Sequence, residues 1–136
     1  KFSGTISYQQ LSGGRCKVKS AQIKLHTKLI LPRWTNRRRA DHDVALIWDT
    51  LSRDIKRHEE RHAEIARQYA RKLEKALVGL YPRRSCKAME AAANKESDKV
   101  LKKHDKAQMA FDRAESASFE RRMTRMLQFK LDKMKE

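Results

Sequence analysis

The feature that most restricts how this chain can fold is an apolar stripe that runs from Val44 to Leu80 in alternating steps of three and four residues. It reads Val44, Trp48, Leu51 and Ile55, then Ala66, Tyr69, Leu73, Ala76 and Leu80, with His58 and His62 standing where the next apolar side chains belong. Such spacing puts all of these residues on one face of a 3.6-residue helix. Asp41 offers an N-cap, and Gly79 and Pro82 stop the pattern. The spacing therefore predicts a helix over 41–80 that must lay its stripe against other parts of the chain.

Two further helical patterns follow. Cys86, Met89, Ala93, Glu96 or Ser97, Val100, His104, Ala107 and Phe111 form the inner stripe of a helix over 85–112, which folds back on the first. Phe119, Met123, Met126, Leu127, Leu131 and Met134 define a basic C-terminal helix over 118–136, read as a packing element. Before the helices the pattern changes to extended. Phe2 to Leu11 carries Ile6 and Tyr8, Ser12-Gly13-Gly14-Arg15 is a turn signal, and Ile23, Leu25, Thr27, Leu29 and Leu31 alternate until Pro32. The expectation is a single α+β domain over 1–136, mostly helical, with a β-strand region over 1–34. A chain of 136 residues suits one core rather than two.

The chemistry lies in the stripe. His58-Glu59-Glu60-Arg61-His62 is an H-E-x-x-H motif. Residues four apart on a helix stand one above the other, so both imidazoles reach a single Zn²⁺. Two imidazoles on an apolar stripe cost free energy unless their nitrogens find a partner, and a metal is one. Glu59 sits on the adjoining face, where a carboxylate takes a proton from water as general base. A catalytic site needs a third protein ligand. In an antiparallel hairpin centred near Arg83, His62 faces His104, which is the first choice; Asp112 is the alternative, with Asp105 and Gln108 nearby. His26 and His42 read as solvated.

Lys and Arg outnumber Asp and Glu by 33 to 17, giving a formal charge of +16. Anionic partners are thus electrostatically available, though most of the charge reads as a solvated surface. This supports a rival to catalysis: a non-catalytic basic binding protein of the same fold that contacts anionic surfaces or nucleic acid, partly through Arg37-Arg38-Arg39. The aromatics Trp34, Trp48, Tyr69 and Phe111 sit on apolar stripes and not among the basic residues, so no base-stacking platform is visible. No apolar run approaches the roughly 18 residues needed to cross a bilayer. The first residues also lack the pattern of a signal peptide, so a soluble chain is expected, already processed if a leader existed. Cys16 and Cys86 admit either one disulfide or two free thiols.

Leu31-Pro32-Arg33-Trp34, the H-E-x-x-H motif, Cys86, and Ala107-Gln108 before Phe111-Asp112 occur together and in order. In this the chain resembles the bacterial family of predicted secreted zinc-dependent proteases, domain of unknown function 922, from about Cys16 to Asp112. The resemblance implies a zincin-like fold, a zinc-dependent metalloprotease acting on a peptide or protein substrate, and a secreted or periplasmic location. It implies a Cys16–Cys86 disulfide, which loop-closure arithmetic puts at about 4 kcal/mol. It also implies an edge strand, here Gln22 to Leu31, that would hold an extended substrate by backbone pairing. There is one departure. The family's Asp is followed by a segment resembling Thr-x-His-Gly, whereas this chain reads Asp112-Arg113-Ala114-Glu115-Ser116. Without that histidine, His104, Asp112 or Glu115 must complete the shell, or tight zinc binding is lost.

Overall fold

A computed structural model describes residues 1–39 and 41–135. Ala40, Glu136 at the end of the expected 118–136 helix, and the side chain of Arg39 in the arginine run lie outside the described residues. In chain order come strands β1 (Phe2–Gln10) and β2 (Cys16–Leu25), then helices α1 (His42–Val78) and α2 (Cys86–Met134). Short 3-10 turns occur at Ser12–Gly14 and Arg37–Arg39. The architecture is α+β and mostly helical, as the patterns predict.

The strands form an antiparallel hairpin that pairs Phe2 with Leu25 and Gln10 with Cys16. Gly13 and Gly14 make the turn with φ of 75° and 80°, a left-handed region that glycine enters without a Cβ clash. The register slips between Ser7 and Tyr8, whose partners are Ser20 and Val18, so Lys19 is an extra residue in β2. Strand side chains alternate faces, and one extra residue reverses the parity. Cys16 and Val18 before the bulge therefore share the buried face with Ile23 after it. On the same face of β1, Gly4 leaves room for Ile23: a Cβ there would stand 2.6 Å from the Ile23 Cδ1 atom.

The second strand runs over Cys16–Leu25, earlier than the 22–31 alternation suggests. The reason is the length of its partner. β1 starts at Phe2, and His26 N–H reaches only the Lys1 carbonyl, at 2.9 Å. Past that point no strand among the described residues is left to pair with, and Leu29, Ile30 and Leu31 are exposed, Ile30 by 78%. The edge expected to hold substrate is also already engaged at Ile23. Its N–H donates to the Glu74 carboxylate at 2.7 Å, and its carbonyl accepts from the Arg71 guanidinium at 2.7 Å.

Gly79 and Pro82 end α1 near the predicted place, and Ser85 caps α2, its Oγ accepting the Ala88 N–H at 3.1 Å. The stretches 85–112 and 118–136 are one helix instead of two. Arg113 to Ala117 contain neither Gly nor Pro, so nothing in the backbone ends the helix between them.

The chain packs as two compact units, Lys1–Thr27 with Ala63–Gln108, and Lys28–His62 with Met109–Glu136. In the first, Ile23, Ala70, Leu73, Leu77, Ala93 and Val100 form the core, flanked by Phe2, Ile6 and Tyr69. Cys16, Val18 and Met89 form a second cluster. Cys16 and Cys86 are joined as a disulfide across 70 residues of sequence. A two-way backbone bridge between Cys16 and Arg83, both bonds 2.9 Å, lies beside it. In the second unit, Trp34 meets Trp48 edge-on at 5.6 Å, and Arg37 grips Asp49 through two hydrogen bonds. No helix among the described residues is long and apolar enough to cross a membrane.

Candidate metal centre

His58 and His62 occupy successive turns of α1, and Asp112 of α2 closes on them within the second unit. The two Nε2 atoms are 3.1 Å apart, and the Asp112 Oδ1 atom lies 3.0 Å from that of His58 and 2.6 Å from that of His62. Three lone-pair donors thus mark out a small triangle. Zinc held at roughly 2.0–2.1 Å by tetrahedral ligands needs donors about 3.3 Å apart, so two sides of the triangle are within a few tenths of an ångström of one face of such a shell and the His62–Asp112 side must open by about 0.7 Å. Two imidazoles and a carboxylate are also a donor set that zinc accepts, with a fourth position open.

The surroundings hold the donors in place. Phe111 stacks on the His58 ring at 4.8 Å and meets the His62 ring edge-on at 4.9 Å. Glu115, one turn beyond Phe111 on α2, places its Oε1 atom 3.2 Å from the His58 Nδ1. A carboxylate there selects the tautomer that carries its proton on Nδ1 and leaves Nε2 free to coordinate. Arg57 and Arg122 both pair with Glu115. Arg122 also donates to both oxygens of Asp54, at 2.8 and 3.0 Å, and Asp54 is only 5% exposed.

These contacts favour the ionised forms of the acids. Burial raises the Glu115 pKa, but the hydrogen bonds from Arg57 and His58 and the nearby guanidinium charges outweigh it, and the net shift is downward. Asp112 behaves alike: burial works against ionisation, and the contacts with His62 and His58 more than reverse it. The hydrogen bond from Arg122 lowers Asp54 most, against the opposing effect of burial. All three remain anionic near neutrality.

Glu59 lines a cleft of about 400 Å³ with Ile55, His58, Ser116 and Phe119. Its carboxylate makes no hydrogen bond or ion pair among the described residues, which leaves it available as a base.

His104, the first choice for the third ligand, is not part of this cluster. It belongs to the first unit, where its Nδ1 lies 3.0 Å from Asp105 and its Nε2 3.2 Å from Gln108. The rings of Phe2 and Tyr69 pack edge-on against it. The carboxylate alternative, Asp112, stands in the triangle instead. Cα–Cβ bonds tilt toward a helix's N-terminus. In an antiparallel hairpin this moves side-chain tips on α1 away from the connecting turn and those on α2 toward it, which accounts for part of the offset of about 12 Å between His104 and Asp112; the register of α2 against α1 sets the rest. His26 and His42 are exposed, as expected. The network of Asp54, Arg57, Glu115 and Arg122 was not legible as such. Only the Asp54–Arg57 spacing is local, and nothing in the sequence announces that Arg122 reaches Asp54.

No curated protein and no solved structure matches the chain significantly. A family model described as a bacterial protein of unknown function (DUF922) matches residues 1–120, a span that includes both cysteines, His58, Glu59, His62 and Asp112, and the chain belongs to that family.

Proposed function

We propose that this protein is a zinc-dependent metallopeptidase in which His58, His62 and Asp112 hold the metal and Glu59 is the general base. The observation that carries the reading is the triangle of two imidazole nitrogens and one carboxylate oxygen, with separations of 2.6 to 3.1 Å, beside the Glu59 carboxylate, which makes no hydrogen bond or ion pair among the described residues. Zinc bound there would lower the pKa of water and polarise a scissile carbonyl. Glu59 accepts the proton of the attacking water and delivers it to the leaving amine. Glu115 keeps the His58 proton on Nδ1, and Phe111 shields one side of both imidazoles from solvent. An extracytoplasmic site of action is part of the proposal, supported by the disulfide, which persists in oxidising compartments.

The test is zinc content by elemental analysis of untagged protein, together with hydrolysis of an unfolded polypeptide. Wild type should carry about one zinc per chain. Asp112→Ala should lose it, and Glu59→Gln should keep it while hydrolysis falls roughly 100-fold or more. Protein that takes up no zinc after supplementation, or a Glu59→Gln variant as active as wild type, would overturn the reading.

A further inference from the structure

Lys95, Lys99, Lys102, Lys103 and Lys106 stand on one side of α2 in the first unit, all exposed. At 3.6 residues per turn they fall within about 100° of arc and extend over about 16 Å of helix. Together with Arg83 they line a cleft of about 710 Å³. Glu96 and Asp98 border the same cleft, yet none of the five lysines forms an ion pair among the described residues. Some cations elsewhere do have partners: Arg37 pairs with Asp49, Arg57 with Asp54 and Glu115, Arg71 with Glu74, and Arg122 with Asp54.

An unmatched stripe of this kind works against the helix that carries it. The five lysines make five like-charged pairs three or four residues apart, and each such pair destabilises a helix. A bound anion adds an attractive term at each lysine that offsets this repulsion. From the cleft, the arc and the missing counter-charges, we infer that this face of α2 binds a linear, base-free polyanion carrying phosphate or sulfate groups. The lining points to that class. It contains no aromatic side chain on which a base would stack, which disfavours single-stranded nucleic acid. Lysine ammonium groups along a concave track contact successive charges of a chain, whereas a flat bilayer meets only the rim. This inference does not depend on the peptidase reading, because no residue of the metal centre takes part.

Calorimetric titration of long-chain inorganic polyphosphate into the full chain tests it. The variant carrying K95Q, K99Q, K102Q and K106Q is compared with a control of equal charge, R121Q, R125Q, K133Q and K135Q. The stripe variant should bind roughly 30-fold or more weakly, with the slope of log affinity against log salt shallower by about 3, while the control stays close to wild type. Its melting temperature should equal or exceed that of wild type, since repulsion is removed and glutamine sustains a helix as well as lysine. Equal losses in both variants would show a general charge effect and overturn the site. So would tighter binding, at equal phosphate concentration, of an oligothymidylate or of phosphatidylglycerol vesicles.

Discussion

Every buried apolar side chain among the described residues, from Cys16 and Val18 through Leu73 and Leu77 to Met89 and Val100, belongs to the first unit. The buried side chains of the second unit are Thr50 and Asp54. The first unit is thus held by apolar burial, a disulfide and a sheet, which are insensitive to the charge state of any one group. The second is held by charge-assisted hydrogen bonds that converge on Asp54 and Glu115, and the candidate metal donors are part of that network. Such bonds are directional and individually strong, but each depends on both partners being present and ionised. The contrast separates a scaffold from a region whose order is linked to its chemistry.

The largest expected effect falls on the first unit. Cys86→Ser, or reduction of the native protein, should lower stability by about 4 kcal/mol, read from the denaturant midpoint. An unchanged midpoint would mean that the apolar core alone carries that unit. Next comes the second unit. Arg122→Ala leaves a nearly buried Asp54 without its bidentate partner and should cost about 3 kcal/mol. Amide hydrogen exchange should then speed up over 109–135 and 42–62 more than over the β1–β2 hairpin. Uniform acceleration would show that the two units share one unfolding equilibrium and that the comparison is only geometric.

The smallest effect is that of acid. Because the folded pKa of Asp54 lies below its ordinary value, its contribution is complete above about pH 4 and fades as the pH falls through the lowered value. Amide protection factors, taken relative to the intrinsic exchange rate at each pH, should therefore fall selectively in the second unit on acidification below about pH 4, with no corresponding fall on going from neutral to mildly alkaline pH. Loss of protection on the alkaline side would contradict the assignment of Asp54 as the controlling group.

The long stripe from Val44 to Leu80, the stop at Gly79 and Pro82, the glycine turn, and the His58-Glu59-His62 motif were all readable, because each rests on spacing along a single element. The bounds of β2 were not. Alternation from Ile23 to Leu31 satisfies a strand pattern, but pairing ends where β1 ends, and the bulge at Lys19 joins Cys16 and Val18 to a face that simple alternation assigns to the other side. The break expected between Asp112 and Ser118 was likewise a matter of changing composition, and a helix continues through such a change when no residue opposes it.

By itself, then, the sequence determined which regions are extended and which helical, and which two histidines share a helix face, since local periodicity and backbone preference act over a few residues. Only the tertiary structure decided that Asp112 and not His104 stands opposite them, that Glu115 meets the far nitrogen of His58, and that Arg122 reaches across to Asp54. Those choices depend on the register of one helix against another and on the direction in which side chains lean, quantities that arise from packing and leave no periodic trace along the chain.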